Sequence, residues 1–202
     1  PGDVAKPADA QELAAWTLAQ FGHVDILVNN AGHSSKVRNL RWIGLEEWEQ
    51  VMAVNVTGAF LLTQAVLPSM IERGGGTIVT VASYAGLRPG LLGGSVYGAA
   101  KAAQRNMMGH VHTVLRDKGI RATTVMPAEV DTPILDKRPA PPDAAARATM
   151  MQPEDVAEAI LLCVTLPERT VIEEIVISPT LSRDQSKEIS IARDAGAPPG
   201  AR

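Results

Sequence analysis

Gly76-Thr77-Ile78-Val79-Thr80-Val81-Ala82-Ser83, a glycine-rich connection, then Ser95-Val96-Tyr97-Gly98-Ala99-Ala100-Lys101 form the stretch that organises the chain. Thr77 to Val81 is β-branched throughout and follows three glycines, which predicts a buried strand. Ser95 opens a helix expected to run to about Asp117, with Gly119 as its stop signal. Tyr97 and Lys101 are four apart, so they share one face of that helix, a turn apart. An unperturbed tyrosine titrates at about 10. A neighbouring cation favours the phenolate and brings the group nearer to working pH, where it exchanges protons more effectively. Ser83 ends the strand and can aim its hydroxyl at the same place. A Tyr-x-x-x-Lys pair alone is a weak signal, because a tyrosine on a half-buried helix is usually core.

Outward from this stretch, strands alternate with helices. Asp25 to Asn30 is a short strand without polar alternation, the pattern of a parallel strand covered on both faces. Arg121 to Met126 and Glu173 to Ser178 read as two further strands, and Asp3-Val4 as the end of another. Helices are predicted over Pro7 to Phe21 (amphipathic through Leu13, Ala14, Trp16, Thr17 and Leu18), Leu45 to Asn55, Thr57 to Glu72 and Pro153 to Leu166. Thr132 to Met151 is proline-rich and irregular, as lids and binding loops are. Lys36, Arg38 and Arg41 fall in a polar loop and read as a solvated face. Cys163 reads as a small core hydrophobe. This order predicts an α/β fold: a Rossmann-like parallel sheet with helices on both faces. Residues 1–181 form one domain, and 182–202 a polar, flexible tail.

Composition excludes several function classes. The 202 residues are 46% hydrophobic and 20% charged, enough for one real core. A net charge of -3 offers no basic field to nucleic acid or an anionic membrane, and 3% aromatic residues make a poor stacking platform. A single cysteine fits a reducing cytoplasm. No apolar run approaches the roughly 20 residues of a membrane span. No metal site is expected: His110 and His112 are two apart on a helix and face different sides, and His23 and His33 lack a ligand set. No Gly-x-Ser-x-Gly elbow is present for a hydrolase.

Four motifs occur in a telling order: Asp25-Ile26-Leu27-Val28-Asn29-Asn30-Ala31-Gly32; Asn55 in Val54-Asn55-Val56-Thr57-Gly58; Ser83 before Tyr97-x-x-x-Lys101; and Pro127-Ala128-Glu129-Val130-Asp131-Thr132-Pro133. In this order they resemble the short-chain dehydrogenase/reductase family, from Asp3 to about Thr180. The resemblance implies NAD or NADP as cofactor and a small-molecule ketone or secondary alcohol as substrate. It makes Tyr97 the general acid/base, and has Lys101 lower the Tyr97 pKa and hold the nicotinamide ribose. Ser83 would orient the reacting oxygen, and Asn55 would fix a water linking Lys101 to solvent. Asp3, Val4, Asn30, Ala31, Gly32, Pro127, Val130 and Thr132 fall at cofactor positions, and Asn29 at a sheet-stabilising one. Tyr84 reads as surface or pocket wall. Leu87, Leu91 and Leu92 hint at an apolar or acyl-like substrate. The helices Thr57 to Glu72 and Ser95 to Asp117, with Ala59, Val66, Ala99, Ala102, Ala103 and Met107, match those that pair in homodimers or homotetramers of the family.

Two departures qualify the match. Ala128 stands where the family usually has glycine, so the turn after Pro127 must do without positive φ. The Gly-rich turn that cradles the cofactor pyrophosphate at a helix N-terminus is not found, since Gly74-Gly75-Gly76 precedes a strand. The expectation is a fragment carrying strands 4 to 7 of the family order 3-2-1-4-5-6-7, with an open apolar edge. The residue choosing NAD or NADP would lie in the missing half. A competing reading is an inactive chain serving as an interaction or dimerisation module. A third is epimerase or dehydratase chemistry on the same scaffold.

Overall fold

A computed structural model describes residues 1–201. Four parallel strands, β1 (Ile26–Asn29), β2 (Gly76–Val81), β3 (Ile120–Pro127) and β4 (Glu174–Ile177), lie side by side in sequence order. The helices are α1 (Pro7–Phe21), α2 (Leu45–Met52), α3 (Gly58–Glu72), α4 (Ser95–Leu115), α5 (Ala144–Arg147), α6 (Pro153–Thr165) and α7 (Ser186–Asp194).

Successive strand residues serve opposite layers. Ile78 and Ala122 pack with Val66 and Met70 of α3 and Met108 and Val111 of α4. Val79 and Val125, at positions of opposite parity on the same strands, pack on the other face with Ala159 and Cys163 of α6. Helices thus cover both faces, as the sequence predicts. Proline opens α1 and α6, and Gly22 and Gly119 end helices in the left-handed conformation. Gly119 also admits no side chain, because a Cβ would lie 2.0 Å from the Gly74 carbonyl oxygen.

Several expectations need correction. β1 is not covered on both faces: Ile26 is 45% and Val28 41% exposed, because β1 is an edge strand beyond the reach of α6. The open apolar edge is therefore real. Asp3-Val4 has no strand to pair with and leads into a turn, where the Asp3 backbone N–H donates to the Asp9 carboxylate (2.8 Å) and the Asp3 carboxylate accepts the Ala5 N–H (3.0 Å). The apolar residues of α1 do not form a buried stripe. Ala10 and Ala14 are buried, whereas Leu13 and Trp16 are half exposed. α2 and α3 are one continuous helix joined by a π turn at Ala53–Thr57. By length and composition this 28-residue helix could cross a membrane, contrary to the sequence reading. Its buried residues Val51, Ala59, Val66 and Met70 belong instead to the protein core.

The polar tail, expected to be loose, carries α7. Arg183 and Arg138 pair with Glu129 and Glu188 in a four-residue network in which every side chain is nearly buried. Ala192 of α7 is buried as well. The charged composition that suggested solvation is what fastens the segment down.

Candidate active site

The carboxyl ends of all four strands open into one cavity of about 1120 Å³. Binding sites of open parallel sheets lie at this end, where the chain leaves each strand for its helix. Asn30, Ala31 and Gly32 line the cavity after β1; Ser83 and Tyr84 after β2; Pro127, Val130 and Thr132 at and after β3; Thr180 after β4. Tyr97 and Lys101 enter it from the first turns of α4. Asp3 and Val4 do not line it. Val4 instead walls a smaller pocket of about 350 Å³ that shares Asn30 and Ala31.

Lys101 is fully buried and carries its charge without a carboxylate partner among the described residues. Its Nζ donates to the Val81 carbonyl at the end of β2 (2.8 Å) and to Gln104 Oε1 (2.9 Å). Burial pulls its pKa down to about 7. Nζ also lies 5.6 Å from the centre of the Tyr97 ring. Burial raises the Tyr97 pKa, while Ser83 and the charges of Arg38 and Arg138 pull it back in part. The expected lowering of Tyr97 by Lys101 is therefore not what this site displays: desolvation dominates, and the cations that oppose it are Arg38 and Arg138. Ser83 Oγ accepts the Ala85 backbone N–H (3.2 Å), which sets the short turn that follows. Tyr84 forms the cavity wall beneath Arg88, whose guanidinium is 5.7 Å from its ring.

Asn55 sits in the π turn, a device that often marks functional positions in helices. Its amide nitrogen donates to the His33 carbonyl (2.7 Å) and the Val51 carbonyl (2.8 Å), holding the loop after β1 against the helix. Its backbone carbonyl accepts the Gln104 amide N–H at 2.6 Å. Gln104 thus bridges Lys101 and Asn55 directly. Asn29 is structural as expected: its amide nitrogen joins Thr63 of α3 to Thr80 of β2.

Two elements were missed from sequence. Gln104 is a polar residue on the buried stripe of α4 that holds Ala100, Met108 and Val111, and that mismatch was a legible warning. Arg38, read as solvated, is 3% exposed. No local pattern distinguishes it from Lys36 or Arg41. Glu129 joins the cavity wall as well. Burial pushes its carboxyl up, but hydrogen bonds from Arg183 and Arg138 hold it below the usual range.

The residues fit a nicotinamide nucleoside. Gly32 leaves space facing Lys101: a Cβ there would stand 3.7 Å from Nζ and 3.3 Å from Asn55 Oδ1. The Lys101 ammonium has a third N–H to give after its two protein acceptors. Ala128 follows Pro127 without positive φ and donates its N–H to Ile177 (2.9 Å), so the turn tolerates the missing glycine. No described Gly-rich strand-to-helix turn is placed to receive a pyrophosphate.

The family model for short chain dehydrogenases matches residues 1–143. The chain belongs to the short chain dehydrogenase family. An NADP-dependent 3-hydroxy acid dehydrogenase of Escherichia coli is 35% identical over 183 residues, covering 88% of this chain and 73% of that relative. The sepiapterin reductase of Chlorobaculum tepidum is 33% identical over 178 residues, covering 88% and 70%. A serine dehydrogenase solved in its closed form with NADP+ superposes with a TM-score of 0.81 at 34% identity, covering 90% of this chain and 76% of that one. The 3-ketoacyl-(acyl-carrier-protein) reductase of Brucella melitensis, solved with NADH, gives 0.78 at 28% identity, covering 88% and 75%. Membership makes this an oxidoreductase fold of the NAD(P)-dependent type. The short chain dehydrogenase sheet, the resemblance drawn from the four motifs, and NAD or NADP as cofactor class all agree with these relatives.

Proposed function

We propose that this protein interconverts a ketone and a secondary alcohol, with Tyr97 as the proton-transferring residue. The convergence of Ser83, Tyr97 and Lys101 in one cavity at the carboxyl ends of the strands carries this reading. Asn30, Ala31, Gly32, Pro127, Val130 and Thr132 line the path of NAD or NADP, with Asp3 and Val4 beside its far end, and Lys101 meets the ribose hydroxyls. When bound, the nicotinamide supplies or takes the hydride. In reduction, Tyr97 gives its phenolic proton to the substrate oxygen, which Ser83 holds by a hydrogen bond. In oxidation the phenolate takes that proton back. Ser83 gives that oxygen a hydrogen bond, and Lys101 beneath it supplies positive charge when protonated. Tyr97→Phe should abolish turnover while leaving nucleotide binding intact; undiminished turnover would refute the role of Tyr97.

A second reading, a catalytically silent interaction module, is favoured by the uncovered edge at Ile26 and Val28. Calorimetric titration with NADH and NADPH separates the two, since micromolar binding excludes the silent reading. As a cytoplasmic enzyme the protein would assemble as a homodimer or homotetramer through α3 and α4. Exposed Ala99 and Ala102 suit that role, but Ala59 and Val66 are turned into the core.

A further inference from the structure

Arg38 is a cation buried where a polar loop was expected. Its Nη1 donates to Ser34 Oγ (2.9 Å) and to the Gly93 carbonyl (2.7 Å), and its stem lies against Gly94, the residue before α4. None of these partners carries charge. Glu47, a carboxylate whose field reaches Arg38, spends one oxygen on the backbone N–H groups of Lys36 and Val37. No carboxylate pairs with Arg38 among the described residues, its Nε is buried without a partner, and its Nη2 donates to no described residue. A buried guanidinium left in this state is costly, and burial draws its pKa down to about 10.

The position of that charge is informative. Arg38 lines the catalytic cavity and lies near enough to Tyr97 to favour its phenolate. The cavity's other deep arginines are neutralised, Arg138 and Arg183 by Glu129 and Glu188. Arg88, exposed and lying over the Tyr84 ring, also lines the cavity without a carboxylate partner among the described residues. The cavity therefore holds an uncompensated buried cation, Arg38, beside the proton-transferring group. The planar fork of arginine matches a carboxylate in particular.

We propose that the substrate of this site carries a carboxylate, which binds Arg38 while its carbonyl or hydroxyl lies at Ser83 and Tyr97. This rests on the oxidoreductase reading above. It replaces the apolar or acyl-like substrate hinted at by Leu87, Leu91 and Leu92, which then line the remainder of an acid's chain. Arg38 also ties the loop after β1 to the start of α4, so the test must separate recognition from simple bracing.

The test compares 3-hydroxybutanoate with its methyl ester as alcohol substrates, with NAD+ or NADP+, for the wild type, Arg38→Gln and Arg38→Lys. The ratio of kcat/KM for acid and ester is read within each protein, so partial loss of folded enzyme cancels. The wild type should prefer the acid. That preference should fall about 10- to 100-fold in Arg38→Gln, and be partly restored in Arg38→Lys. An ester used as well as the acid overturns the proposal, as does a preference that Arg38→Gln leaves intact. Glycerol 3-phosphate provides the second arm. If Arg38 selects it over the carboxylate, the assigned anion is wrong. Line broadening of the same acid and ester in proton NMR reads recognition without turnover. Tyr97→Phe should lose turnover yet still bind the acid. Turnover in Tyr97→Phe sinks the oxidoreductase reading alone. Turnover of the ester without Arg38-dependent binding of the acid sinks the carboxylate alone.

Discussion

Lys101→Met should make this protein more stable at neutral and mildly acidic pH, although it removes a central residue of the site. The Lys101 ammonium titrates at about 7 in the folded chain against an ordinary 10.5. At about 1.4 kcal/mol per pH unit, that fall represents on the order of 5 kcal/mol of destabilisation below pH 7. The sign follows from proton counting. Between pH 7 and 10.5 the unfolded chain holds the proton that the folded chain has released, so raising pH stabilises the fold across this window. Below pH 7 both states are charged and the whole penalty is felt. Methionine fills similar volume without charge, but it orphans two acceptors, the Val81 carbonyl and Gln104 Oε1. At roughly 1 to 2 kcal/mol each, these return part of the gain. The expected net is a stabilisation of about 1 to 3 kcal/mol at pH 6 that falls with rising pH and turns into a destabilisation of about 1 to 3 kcal/mol by pH 10. Urea denaturation of both proteins at pH 6, 8 and 10 measures it. The slope is the decisive quantity: parallel pH dependences for the two proteins would refute a buried, depressed lysine.

Three other perturbations test neighbouring parts of the site. Gly86→Ala places a Cβ 2.6 Å from the Lys101 carbonyl carbon and 2.7 Å from the Ala102 nitrogen, both backbone of α4. The turn after Ser83 must lift off the helix, at about 1 to 3 kcal/mol, and an unchanged Tm would show that it is not seated there. Asn29→Ala removes the link between Thr63 and Thr80 and should cost about 1 to 3 kcal/mol in denaturant unfolding; a loss indistinguishable from zero would deny that the link holds β1 to the core. Gln104→Leu deprives the Lys101 ammonium of an acceptor and lowers its pKa further, whereas Gln104→Glu adds a negative charge and raises it. The pH profiles of turnover should therefore shift in opposite directions in the two variants, and a shared direction would contradict the bridge.

Local pattern carried most of the fold. The β-branched run of β2 and the apolar run of β3 specify strands whatever surrounds them, and proline and glycine mark where α1, α4 and α6 begin or end. What escaped was set by distant neighbours. Ile26 and Val28 read like buried strand residues because their composition is that of a buried strand; only the position of β1 at the sheet edge leaves them exposed. Arg183 and Glu188 look solvated until Glu129 and Arg138, some 50 residues away, close the network. The four motifs found the site because each lies at a strand's carboxyl end or on the helix that follows. Arg38 and Gln104 have no such place in a motif, and their roles come from what they touch.

Burial acts in opposite directions on the two titrating groups of the site. It raises Tyr97, favouring the neutral phenol, and lowers Lys101, favouring the neutral amine. At neutral pH the phenol therefore holds its proton and is ready to give it, which suits reduction of a carbonyl. Arg38 and Arg138 oppose this by stabilising the phenolate. Arg138 has its charge answered by Glu129 and Glu188, so the adjustable part of the field is Arg38. A carboxylate bound there cancels it and leaves Tyr97 more firmly protonated than in the empty site. An anionic substrate would thus prepare its own proton donor, while a neutral ketone would meet a phenol more readily ionised. Substrate selection and proton delivery then depend on the same buried arginine.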